Sequence, residues 1–293
     1  MTAPHLHDGG ALARRPVVLL GSDGMLGWAW RNLLETSPCR LVPLTRPEAE
    51  LTDHESIRRL FMHEPRVIIN CAGWTDVDGA EKHEDEATAV NGTALAWLAE
   101  LSLKHGTLLV NYSTDYVFDG RATTPYAPDH ARRPLGAYAR SKAAGEVALE
   151  RSGCRFLNIR TSWLYAPWGT NFVRTIARLL REKPSLRVVD DQRGRPTSAE
   201  HLARASLGLI ERAVTGHWHL TDGGECTWCG FAREIGRLIG APAAVEPCTT
   251  ADFPRPAPRP AYSVLDISAS EALLGAMPPW QENLAAVVAR LES

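Results

Sequence analysis

The 293-residue sequence lacks most of what would assign it to a specialised class. No apolar run approaches the ~20 residues that a membrane span requires. Neither sign of charge dominates: 32 Lys and Arg stand against 34 Asp and Glu, a net charge of −2. That balance leaves no electrostatic footprint for nucleic acid or for an anionic membrane. Met1–Arg15 has no apolar core of signal-peptide length and reads as a flexible extension, so the expected location is the cytoplasm. The six cysteines are too few for a disulfide scaffold of this size and suit a reducing compartment. Cys226-Thr-Trp-Cys229 is formally a CxxC, but no second CxxC accompanies it, and it reads as packing. His217-Trp-His219 puts two imidazoles on one strand face without an acidic or thiol partner nearby, so no metal is expected. No internal repeat is visible.

What is present is an ordinary globular composition, 44% hydrophobic and 23% charged. Short apolar runs alternate with helical patterns. Pro16–Leu20, Leu41–Leu44, Val67–Asn70, Thr107–Tyr112 and Phe156–Ile159 read as buried parallel strands. Between them, Asp53 is placed to cap a helix, Glu81–His105 contains a long Ala- and Leu-rich helix, and another runs from about Tyr138 to Arg151. This spacing predicts an α/β fold, a doubly wound parallel Rossmann sheet. After Thr161 the pattern loosens, and Pro254–Pro260 holds four prolines in seven residues, an extended loop. The expected organisation is an extension over 1–15, a mainly dinucleotide-binding unit over 16–165 and a mainly substrate-binding α/β lobe over 166–293, with interleaving allowed.

Gly21, Gly24 and Gly27 form a GxxGxxG between the first strand and its helix. The first permits a tight turn, the second lets backbone approach a pyrophosphate, and the third lets helix and strand pack closely. The helix start then offers amides and a positive dipole end to phosphate. A free ribose 2′-hydroxyl would call for an acid at the end of the second strand, where the chain instead reads Leu44-Thr45-Arg46. A hydroxyl and a guanidinium suit a 2′-phosphate, so NADPH is expected and NADH is left open. Tyr138-Ala-Arg-Ser-Lys142 puts phenol and ammonium on one helix face, one turn apart. The expectation is that the ammonium depresses the phenol's pKa. Thr114, at the carboxyl end of the fourth strand, can hold a carbonyl oxygen beside Tyr138.

With these residues in place, the chain resembles the extended short-chain dehydrogenases/reductases, and among them the dTDP-4-dehydrorhamnose reductases. The resemblance runs from about Val17 to Leu291. It is carried by Gly21–Gly27, Asn70-Cys-Ala-Gly-Trp-Thr75, Asn91, Ser113-Thr-Asp-Tyr-Val-Phe-Asp-Gly120, Tyr138–Lys142 with Gly145-Glu146, Ile159–Tyr165, Asn171-Phe172, Asp191–Thr197 and Arg259-Pro260. It implies an NAD(P)H-dependent reduction of the C4 ketone of a dTDP-4-keto-6-deoxy sugar. In that picture Tyr138 is the proton donor, Lys142 its partner and a ribose ligand, and Thr114 the carbonyl anchor. Gly24, Met25 and Leu26 would touch the cofactor phosphates. Glu50 and Leu51 would lie near the adenine, and Gly73, Trp74 and Thr75 would line the cofactor. Thr114, Asp115, Trp163 and Asn171 would face the nucleotide sugar. Gly73-Trp74, Gly79 and Tyr138-Ala139 depart from the family's usual residues without removing a reacting group. Three alternatives stand beside the main reading: a reductase of a related dTDP-4-keto sugar, a redox-neutral epimerase or dehydratase, and a non-catalytic cofactor-binding subunit. A homodimer is left open.

Overall fold

The computed structural model describes residues 16–291; the extension read over Met1–Arg15 lies outside them. Val17–Leu20 (β1) is entirely buried, and its alternate side chains feed two different cores. Val17 and Leu19 pack with Leu26, Ala29 and Trp30 of α1 (Met25–Leu34) and with the helix Ala199–Glu211. Val18 and Leu20 face the other way, onto Ile57 and Leu60 of α2 (His54–Leu60). Covering both faces of a parallel sheet is what its continuous apolar runs demand. Asp53 caps α2 as expected, accepting from the Glu55 amide at 3.0 Å.

Leu41–Leu44 (β2), Val67–Asn70 (β3), Leu108–Thr114 (β4) and Phe156–Thr161 (β5) complete the predicted strands. The main sheet has six strands, however, all parallel. The sixth, Gly216–His219, comes from the second half of the chain and pairs with β5. From that edge the order is sixth strand, β5, β4, β3, β1, β2. Strand-by-strand register aligns Asn70, Asn111 and Asn158 across β3, β4 and β5. Their amides bond in sequence, at 3.0 Å and then 2.7 Å, which leaves only the Asn70 Oδ1 at the start of this row without a partner among the described residues.

The long helix expected over 81–105 is broken. A short helix, α3 (Glu84–Thr88), runs into a π-helical stretch Ala89–Thr93, and then α4 (Ala94–His105) follows. After β4 and a single 3₁₀ turn at Asp115–Val117, α5 spans Ala137–Ser152. Beyond β5, a third core gathers around Tyr165, Phe231 and Trp280, from the helices Phe172–Glu182, Trp228–Leu238 and Trp280–Ala289. It includes a parallel pair that the loose pattern of the second half concealed, Ser185–Val189 with Ala244–Cys248. No helix among the described residues is long and apolar enough to cross a membrane.

Candidate active site

A cleft of about 850 Å³ runs along the carboxyl ends of β1 to β5. At its floor β1 turns sharply at Gly21, whose φ of +66° is a left-handed value that glycine adopts without strain. Gly27 serves close approach: a Cβ there would fall 2.1 Å from the Gly21 carbonyl oxygen. Gly24 is the N-cap of α1 and brings no side-chain cap. The amides of Met25, Leu26 and Gly27 therefore sit in the first turn, where an α-helix supplies no acceptor. Gly21, Gly24, Met25 and Leu26 all line the cleft. A glycine cradle under a helix start fits an anionic pyrophosphate.

Further along the same wall lie Arg46, Glu50 and Leu51. Arg46 is exposed. Glu50 accepts from the Thr52 amide at 3.0 Å and hydroxyl at 2.8 Å, which holds its carboxyl below the usual range. Leu51 is buried against α2. These three can border an adenosine and a charged group on its ribose.

Lys142 and Gly73 meet at the centre. The Lys142 ammonium donates to the Tyr112 carbonyl at 3.2 Å, and a Cβ on residue 73 would lie 3.1 Å from Nζ. The glycine that replaces a side chain here thus opens the space the lysine occupies. The Asn91 amide, within the π-helical stretch, holds the Trp74 backbone at both its N–H (3.0 Å) and its carbonyl (3.1 Å), and also donates to Ser141 (2.9 Å). A π-bulge is a frequent way to present a side chain sideways at a functional site. Here it pins the loop that carries Gly73 and Thr75.

Tyr138, in the first turn of α5, shares this wall with Thr114, the last residue of β4. The depression expected for Tyr138 is not observed. Burial pushes its phenol well up; the Thr114 hydroxyl pulls the other way by less, and Asp115 adds to the rise. The protein around the ring removes the water that would stabilise a phenolate, and that outweighs any help from Lys142. Lys142 itself is brought down to about 8 by burial, against the pull of Glu146 and Cys71, so it remains mostly charged at neutral pH. Asp115, almost fully buried, lies within hydrogen-bond distance of Thr114 Oγ1, at 3.0 Å, and burial raises its carboxyl to about 7.

One turn below Lys142, Glu146 is buried and clamped by Arg160 through two bonds, 2.9 and 2.7 Å, with Arg132 at 3.1 Å. Burial works against the charge, but the Arg160 guanidinium prevails and holds the carboxyl down to about 2. His217 and His219 close the network: His217 meets Asn158 at 3.0 Å and His219 meets Arg160 at 3.3 Å.

At the far end of the cleft, Trp163 lies with its backbone in the left-handed region, φ +47°. Its ring stacks on Trp228 at 3.6 Å and 11°. Trp228, which also lines the cleft, was hidden inside the CxxC-like segment. The signal that could have marked it is its place just after Thr227, which caps a helix by accepting from the Gly230 amide at 3.0 Å. The structure does not bring Asn171 or Trp74 to the cleft. Asn171 caps the helix Phe172–Glu182, accepting from Arg174 N at 3.2 Å and donating to the Ala166 carbonyl at 2.9 Å. The Trp74 indole donates to the Asp76 carbonyl at 2.9 Å and packs with Ala80, Ala87 and Ala137. Trp168 donates to the Met25 carbonyl at 3.0 Å, tying the loop after β5 to the start of α1.

A doubly wound sheet with a glycine loop at its first turn, and a threonine, a tyrosine and a lysine on one cleft wall, defines an extended short-chain dehydrogenase/reductase. More narrowly, the chain belongs to the RmlD substrate-binding domain family, whose model matches residues 15–293. It is 37% identical to a dTDP-4-dehydrorhamnose reductase of Burkholderia thailandensis over 284 residues, covering 90% of this chain and 95% of the relative. The crystal structure of a dTDP-4-dehydrorhamnose reductase from Clostridium acetobutylicum superposes with a TM-score of 0.91 at 36% identity, covering 95% of this chain and all of the other. A Bacillus anthracis dTDP-4-dehydrorhamnose reductase, crystallised with NADP, gives 0.90 at 33% identity, covering 93% and 98%.

Proposed function

We propose that this protein uses NADPH to reduce the C4 ketone of a dTDP-4-keto-6-deoxy sugar, converting dTDP-4-dehydrorhamnose to dTDP-rhamnose. The observation that carries the reading is the convergence of Thr114, Tyr138 and Lys142 on a cleft that begins at a glycine cradle. NADPH, when bound, supplies the hydride. The amides of Met25 and Leu26 hold its phosphates, Arg46 its 2′-phosphate, and Glu50 and Leu51 border its adenine. Gly73 and Thr75 line the nicotinamide side, and Lys142 reaches the adjoining ribose.

Tyr138 is the proton donor. Burial keeps its phenol protonated at neutral pH, which is the state a reduction requires. Negative charge develops on the C4 oxygen as the reaction proceeds, so donors aimed at it act on the transition state more than on the substrate. Thr114 anchors the same oxygen. Trp163, with Trp228 behind it, forms the wall against the sugar, and Asn171 supports that wall as a helix cap. The reaction is assigned to the cytoplasm, where unpaired thiols such as Cys226 and Cys229 persist.

The test is NADPH consumption with dTDP-4-dehydrorhamnose, with the product's C4 configuration read by NMR. Tyr138→Phe should slow the single turnover by roughly 10²–10⁴-fold, the range for a lost general acid, and leave NADPH affinity unchanged. A wild-type single-turnover rate in that variant would mean that another group delivers the proton.

A further inference from the structure

Thr114 has one hydrogen to give and two lone pairs to receive with. One lone pair takes the Tyr116 amide, at 3.2 Å. The hydrogen lies within bonding distance of Asp115 Oδ1, at 3.0 Å. If Asp115 is a carboxylate it has no hydrogen, so the bond must run from Thr114 to Asp115. Thr114 then has nothing to offer a ketone, and its remaining lone pair competes with the ketone for the Tyr138 hydrogen. If Asp115 is a carboxylic acid, the same bond reverses. Asp115 donates, both Thr114 lone pairs are filled, and the Thr114 and Tyr138 hydrogens are free for one acceptor in the cleft.

Accordingly, we propose that Asp115 is a positioning residue that works in its protonated form, turning the Thr114 hydroxyl towards the substrate carbonyl. This rests on the reductase reading above. The surroundings favour the neutral acid. Asp115 is 2% exposed, and its Oδ2 finds no hydrogen bond of good geometry among the described residues, a costly state for a charged oxygen. Ser263 is its other hydroxyl neighbour, and together with Thr114 and the backbone amides of Asp115 and Tyr116 it offsets only part of the effect of burial, which carries the carboxyl to about 7. The titratable and charged groups around it are Tyr138 from α5 and Tyr116 on its own turn, with Asp78 and Arg259 beyond Tyr116; Lys142 lines the same cleft and pairs electrostatically with Glu146 and Cys71. Asp115 lines the cleft, so its proton equilibrates with solvent and its charge state follows the pH. No bond to carbon is made or broken by Asp115, and no proton leaves it during the step.

The experiment is the pH dependence of kcat for NADPH oxidation with dTDP-4-dehydrorhamnose. A group titrating near 7 and active as the acid should by itself make kcat fall about tenfold from pH 6 to pH 8, and with the charge of Lys142, set near 8, the wild-type fall should be about twentyfold. In Asp115→Asn that fall should shrink to about twofold, the part that Lys142 sets near 8. Thr114→Val keeps the carboxyl but removes the hydroxyl; its low residual rate should have lost the limb near 7 as well. A second readout needs no turnover. Because the folded carboxyl titrates above its unfolded range, the stability it confers is complete below about pH 4 and is lost as pH rises through 7. The Tm of Asp115→Asn relative to wild type should therefore be higher at pH 8 than at pH 6. A wild-type kcat that is flat or rising from pH 6 to 8, a limb near 7 that persists in either variant, or a Tm difference independent of pH would overturn the inference alone. A wild type that binds NADPH but never reduces the keto sugar would overturn the reductase reading, and this inference with it.

Discussion

Arg46 projects from the end of β2 at the rim of the cleft, exposed, with Glu50 among its charged neighbours. Its guanidinium makes no hydrogen bond to a described side chain, which leaves its donors for a ligand phosphate. Arg46→Ala should raise KM for NADPH by roughly tenfold, about the strength of one charge-assisted contact, and leave KM for NADH nearly unchanged. Equal changes for both cofactors would remove the 2′-phosphate role. At this scale the legible residues were those whose type and spacing state their chemistry. A tyrosine and a lysine one helical turn apart had to share a face, and a threonine at a strand's carboxyl end had to reach the sheet's ligand edge. What composition could not show was the sign of the Tyr138 shift, because desolvation depends on everything packed around the ring. Asn171 misled for a related reason: helix capping and ligand binding draw on the same side chain, and only its partners tell the two apart.

Among the elements, the strands were legible because a doubly covered parallel strand is apolar on both faces, as Val17–Leu20 and Val67–Asn70 show. The π-helical stretch Ala89–Thr93 was not: Val90, Asn91, Gly92 and Thr93 are poor helix formers, but weak propensity does not say that a helix gains a residue per turn. Its extra residue per turn coincides with Asn91 reaching the Trp74 backbone. The strand–turn–helix unit of β1 and α1 offers the sharpest test at this scale. In Gly27→Ala the new methyl would meet backbone, not a flexible side chain, 2.1 Å from the Gly21 oxygen and 2.7 Å from Ser22 Cα. Helix α1 would have to lift from the strand. The expected cost is about 1–3 kcal/mol in chemical denaturation, with a marked loss of NADPH affinity. Unchanged stability and affinity would show that the turn has slack the packing does not reveal.

Across the whole molecule, the catalytic helix is anchored by charge as well as by apolar packing. Glu146 is ionised in the fold down to about pH 2, well below its range in an unfolded chain. The stability from its pair with Arg160 is thus fully present above about pH 4.5 and drains away as pH falls towards 2. Arg160→Met, which strands the buried carboxylate, should cost about 3–5 kcal/mol at pH 7 and less at pH 4, where Glu146 can take up a proton. Denaturant titrations at the two pH values would show this; an equal loss at both would assign the effect to packing alone.

The sixth strand of the main sheet has a consequence in time. β5 ends at Thr161, but the strand that covers its outer edge begins only at Gly216. As the chain leaves the ribosome, the five strands it has already delivered carry β5 as an open edge, its unpaired amides and carbonyls ready to template another chain. The Arg160 guanidinium likewise waits for His219, its neighbour across that edge. A chain halted near residue 165 would hold almost every group assigned to the chemistry and still be an aggregation-prone intermediate. The second half therefore closes the sheet's edge late, and that edge stays open for as long as those roughly fifty intervening residues take to be made and returned.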